Sequence, residues 1–232
     1  ANIWDLKRIE SFLGEETNQD ILHRHHKLWL SSLSILETIF NRPLNFDTRE
    51  CIKECFNKQK FFVDTSSYYK ILNTLQGTNV VLLTGDPGTG KTFLSQMVFL
   101  YFSKDYHPIF SSTNNIEDIK KALSVDPEAK QIILMDDFIG QIDLDRDSKK
   151  FSSAFQTLVK YAINSKNTKL ILNSRLYIFE KAKKTDTFFC QTIGDEKVVN
   201  VRMEELTKIE KAKILYNAFF HRGFSSDYTK PF

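Results

Sequence analysis

The chain is 232 residues long, with 41% hydrophobic residues, 32 basic against 29 acidic side chains and a formal net charge of +3. That apolar fraction can bury a core in one large domain or two small ones, and the near balance of charge lacks the basic footprint of a nucleic-acid binder. No apolar run approaches the ~18 residues of a membrane span, the opening ANIWDLKRIE lacks the basic-then-apolar form of a signal peptide, and three cysteines make no disulfide framework, so a cytoplasmic protein is expected.

Taken in order, Trp4 to Leu13 and Asp20 to Phe40 carry helical apolar spacing, the second with Ile21, Leu22, Leu28, Leu33, Leu36, Ile39 and Phe40 as its stripe. Trp29 and Leu30 extend that stripe as core or as a docking surface. Arg42-Pro43 interrupts it, and Asn45-Phe46-Asp47 reads as a turn in which Asp47 or Thr48 caps a helix from Arg49 to Asn57. Cys51 and Cys55 lie one turn apart on that helix, with His23, His25 and His26 upstream; without a second close Cys pair they read as buried thiols rather than metal ligands. Residues 1–58 therefore read as a helical connector. Lys60 to Thr65 is a short extended piece and Ser66 to Leu75 a helix. Phe62 and Val63 stand where many P-loop ATPases cover the adenine, and read either as the sandwich for a base or as core residues joining the connector to the sheet.

Val80 to Leu83 is a buried strand that runs into Gly85, Asp86, Pro87, Gly88, Thr89, Gly90, Lys91 and Thr92, which fit the phosphate-loop pattern G-x-x-x-x-G-K-[ST] at each fixed position. Gly85, Gly88 and Gly90 permit backbone conformations closed to residues with a Cβ, so successive N–H groups can converge on a phosphate. The loop opens a helix from Lys91 to Phe102, beginning with Phe93 beside the loop, whose N-terminal N–H groups add to that attraction. Lys91 is expected on the β- and γ-phosphates and the Thr92 hydroxyl on Mg²⁺.

Pro108 to Ser112 is a second strand, Ile116 to Leu123 a helix, and Gln131 to Asp136 a third strand, whose continuous apolar run Ile132 to Met135 suits a sheet covered on both faces. It delivers Asp136 and Asp137 at its end. In the Walker B role, Asp136 holds Mg²⁺ through water and Asp137 polarises the attacking water. Lys149 to Asn164 is a long amphipathic helix, and Lys169 to Asn173 a fourth strand with Asn173, Ser174 and Arg175 at its tip. If that strand lies between the P-loop strand and the Walker B strand, Asn173 is expected to sense the γ-phosphate by hydrogen bond and Arg175 by charge. Lys197 to Arg202 is a fifth strand, closing a core that spans residues 59–203. Thr207-Lys208-Ile209-Glu210 then has capping-box form, opening a helix with Ile209, Ala212, Leu215, Tyr216 and Phe219 on one side. Residues 204–232 read as the start of a helical lid, cut short. Arg146 and Arg202 are candidate fingers acting in trans.

FFVDTSSYYKIL before the first strand, GDPGTGKT, MDDFIGQ (Met135 to Gln141) and LILNSRLYIFEKA (Leu170 to Ala182) together resemble the novel STAND NTPases of type three, over about Lys60 to Phe220. The resemblance implies an α/β fold: an additional-strand, AAA+/STAND-like P-loop NTPase, a three-layer sandwich around a parallel five-stranded sheet, with an N-terminal helical segment and the start of a C-terminal lid. It departs from the family at the fourth strand tip, where Asn173 replaces a Thr, and at Ala218, where a His commonly follows the Asn.

Two functions are compatible with these motifs. In the first, the chain is an ATP- or ADP-binding, Mg²⁺-dependent and slowly hydrolysing signalling switch, excerpted from a longer effector–NTPase–sensor protein of the kind found in antiviral defence. Self-association in the activated state and fused or associated effector and sensor domains follow from the resemblance. The second is a DNA-associated ATPase, such as a helicase loader or restriction subunit, against which the charge balance weighs. A small-molecule kinase is more distant, because the DDF and SR blocks are not kinase features.

Overall fold

The computed structural model describes Phe12 and residues 45–111, 116–124, 126, 128–138, 148–185, 190–192, 194, 198–202 and 206–222. The helices expected over residues 4–13 and 20–40 lie outside that set apart from Phe12, as do Arg146 and the chain beyond 222.

Helix α1 (Phe46–Lys58) begins earlier than expected and is capped by Asn45, whose side chain accepts from the Thr48 N–H at 2.8 Å. Neither Asp47 nor Thr48 is the cap: Thr48 is buried inside the helix, and its hydroxyl oxygen accepts from the Phe110 N–H at 2.8 Å. A tertiary hydrogen bond has claimed the side chain that local pattern assigns to capping. Cys51, Ile52 and Cys55 of α1 are buried against the sheet. A 3₁₀ turn (Gln59–Phe61) leads to extended residues and then α2 (Ser66–Gly77), capped by Thr65.

Strands β1 (Val80–Gly85), β2 (His107–Ser111), β3 (Gln131–Met135), β4 (Thr168–Arg175) and β5 (Val198–Arg202) form one sheet of order β2-β3-β4-β1-β5, parallel at every pairing. Strand alternation divides the apolar residues between two cores. Val81 and Leu83 face α1, α2 and α3 (Lys91–Phe102), whereas Val80 and Leu82 face α4 (Ile116–Ala122), α5 (Ser148–Asn164) and α6 (Leu176–Thr185). The result is the expected three-layer α/β sandwich.

Two boundaries differ from expectation in ways that shape the site. Strand β3 stops at Met135, so Asp136 lies in the turn beyond it. Strand β4 continues through Asn173, Ser174 and Arg175, which pair with Leu83, Thr84 and Gly85 of β1, so these residues belong to the sheet rather than to a loop after it. Helix α6 follows β4 without a connecting loop, an element that the strand pattern does not announce. The last helix among the described residues, α7 (Lys208–Arg222), has the expected capping box: Thr207 Oγ1 accepts from the Glu210 N–H at 3.2 Å, and Glu210 Oε2 accepts from the Thr207 N–H at 2.8 Å.

Candidate nucleotide site

The parallel order brings the loop after β1 beside the ends of β3 and β4, where a strand-order reversal opens a crevice. Gly85 closes β1, and Gly88 and Gly90 take φ of 81° and 83°, the left-handed region. No heavy atom lies within 4 Å of where a Cβ would stand at either, so conformation rather than space demands glycine there. Asp86, Pro87 and Gly88 are exposed, and Thr89 ties the loop by donating from its hydroxyl to Asp86 O at 2.9 Å. Lys91 is 8% exposed and donates from Nζ to Asp86 O at 2.7 Å and to Thr89 Oγ1 at 3.4 Å. Burial pulls its pKa down, opposed by the negative charges of Asp137 and Asp86. The lysine is folded back on the carbonyl and hydroxyl oxygens of its own loop.

Across the crevice, Thr92 Oγ1 donates to Asp136 Oδ1 at 3.1 Å. Burial pushes the Asp136 carboxyl above its ordinary range, countered by hydrogen bonds from Asn173 and Thr92. Hard oxygen donors on a carboxylate and a hydroxyl, gathered beside an anion-binding loop, are the donor set that a small divalent cation takes. Asp137 adopts φ 48°, an uncommon conformation for a residue with a side chain. Its Oδ2 pairs with the Arg175 guanidinium at 3.1 Å, and its Oδ1 is buried with no hydrogen-bond partner among the described residues.

Asn173 stands behind both carboxylates. It is 2% exposed; its Nδ2 donates to Asp136 Oδ1 and to Ser95 Oγ (3.2 Å), and its Oδ1 accepts from the Asp137 N–H at 3.1 Å. The amide expected at the γ-phosphate is occupied with the acidic pair. Ser95, fully buried on α3, enters this network without any sequence signal of its own.

A cavity of about 240 Å³ adjoins the loop. Phe62 and Val63 line it, together with Phe93 and Leu94 of α3 and with Leu206 and Ile214 from the approach to α7 and the helix itself. Both segments flagged before the first strand and after the loop thus meet at one apolar recess. Nothing in the sequence marks Leu206 and Ile214 for this place; their part depends on how α7 lies, which spacing does not tell.

A family model for novel STAND NTPase 3 matches residues 62–221. Among solved structures, domain III of the Thermotoga maritima replication initiation protein DnaA aligns with TM-score 0.52 and 16% identity, over 79% of this chain and 78% of that one. AMPPCP-bound DnaA from Aquifex aeolicus gives TM-score 0.49 at 19% identity, over 71% and 55%, and the Thermotoga maritima RuvB Holliday junction branch migration motor 0.45 at 15%, over 69% and 52%. The chain spans about half the length of the last two. No curated protein matches it in sequence. The chain belongs to the novel STAND NTPase 3 family, whose matched stretch runs from Phe62 at the cavity to His221 near the end of α7.

Proposed function

We propose that the chain is an ATP-dependent switch module, binding ATP with Mg²⁺ and hydrolysing it slowly. The observation that carries this reading is the convergence on one crevice of the left-handed Gly88–Gly90 loop, the buried Lys91 and the Thr92–Asp136 pair. Lys91 would exchange its loop oxygens for β- and γ-phosphate oxygens, a stronger charge-assisted partner. Thr92 and Asp136 would hold Mg²⁺, which supplies neutralisation of the phosphate charge.

Asp137 would orient and polarise a water for in-line attack on the γ-phosphorus. The bond to the β–γ bridging oxygen breaks, the proton passes toward the carboxylate, and ADP and phosphate leave. Asp137 is one methylene shorter than a Glu at that place, and Arg175 holds one of its oxygens, both consistent with slow turnover. Val63 lies in the extended piece before α2 and borders the apolar cavity, where its peptide N–H and C=O would suit the donor and acceptor edge of adenine.

In keeping with the resemblance, nucleotide state would gate self-association and the output of effector and sensor domains outside these residues, in a cytoplasmic antiviral setting. No helix among the described residues is long and apolar enough to cross a membrane.

The test is identification of nucleotide released on denaturing the purified protein, with Lys91→Ala alongside. ADP or ATP released by the wild type and absent from the variant is the expected result. A protein that holds none and turns ATP over rapidly, stimulated by DNA in a salt-dependent way, would replace the switch with the DNA-associated reading.

A further inference from the structure

Among the described residues, one stripe of helix α7 reaches the segment that precedes α2. Glu210, Ile214, Asn217 and His221 recur at intervals of four, three and four, so they share a face. Each touches the same short segment or the cavity it borders. Glu210 Oε1 accepts from the Ser66 N–H (2.7 Å) and hydroxyl (3.0 Å); Ile214 lines the cavity; Asn217 Nδ2 donates to both Lys60 O and Phe62 O at 3.2 Å; His221 meets the Phe61 ring edge-on at 5.7 Å. Ile209, Leu215, Tyr216 and Phe219, which the spacing puts together on one side of α7, are exposed.

Among the described residues, 60–65 have no strand partner in the sheet. Among the described residues, their carbonyls at Lys60 and Phe62 both accept from the Asn217 side chain. Val63, directly after Phe62, lines the cavity.

We propose that Asn217 is a positioning residue for base recognition: by holding the Lys60 and Phe62 carbonyls it fixes the Val63 peptide at the cavity edge and ties α7 to the base. Glu210 anchors the other end of the same segment, so α7 and residues 60–66 move as one part. A base in the cavity then sets the position of the lid helix directly. This rests on the nucleotide reading above.

The experiment compares binding of ATP, GTP and inorganic tripolyphosphate to the wild type, Asn217→Ala and Asn217→Asp by calorimetry. Both variants should bind ATP about tenfold more weakly, the size of one or two lost positioning hydrogen bonds, and lose preference for ATP over GTP. Tripolyphosphate, which has no base, should bind all three proteins alike and so confirms that the variants are folded. Equal weakening of ATP and tripolyphosphate, or unchanged ATP affinity, overturns the role of Asn217 while leaving the nucleotide site standing. A wild type that binds neither ligand overturns both.

Discussion

Asn173 is the residue on which the acidic pair depends. One buried amide donates to Asp136 and accepts from the Asp137 backbone, so it sets the position of the candidate metal ligand and the candidate water-polarising group together. Its own fourth-strand pairing with Leu83 and its bond to Ser95 leave it little freedom. Removing it should disturb chemistry more than binding, because the loop and Lys91 do not contact it among the described residues. Asn173→Ala is expected to lower kcat by about 10²-fold, the scale of losing one preorganised donor, with nucleotide Kd changed by less than about tenfold. Single-turnover rates and equilibrium titration read the two separately. A large loss in Kd with kcat intact would move Asn173 onto the phosphate, the role that strand-tip reasoning assigned it.

At the scale of elements, α7 is held by polar contacts at its first turn. Glu210 receives N–H groups from the starts of two helices, α2 through Ser66 and its own through Thr207, where the helix dipoles also favour a negative charge. Those hydrogen bonds draw its pKa from 4.5 down to about 2. A carboxylate whose folded pKa is depressed adds stability above its unfolded pKa and loses it as pH falls through the folded one. Glu210→Gln should therefore lower the urea midpoint at pH 7, and the gap from wild type should close as pH falls from about 4.5 toward 2. A gap that is the same at both ends of that window would mean that charge at Glu210 contributes nothing.

Across the whole molecule, the core on the α4–α5–α6 side of the sheet carries the acidic turn. Phe138, the residue after Asp137, stacks on Phe155 of α5 at 5.0 Å, and Phe155 stacks on Phe151 at 6.0 Å. Phe155 is fully buried, so Phe155→Ala should cost about 3–5 kcal/mol in chemical denaturation. It should also slow hydrolysis, since the turn that presents Asp137 loses its support. Full stability in that variant would show that α5 does not brace the site.

The sequence by itself determined the phosphate loop, the strand that precedes it, the two carboxylates and the α/β class, because each rests on local chemistry: glycine at positive φ, apolar runs of strand length, acids at a strand end. Tertiary structure decided the rest. Thr48 bonds to β2 instead of capping α1, Asn173 is enclosed in the sheet beside Asp136, and α7 turns Glu210 and Asn217 inward while its apolar side stays exposed. In each case the side chain's partner lies far along the chain, and hydrogen bonds formed only on packing override the preference that spacing alone expresses.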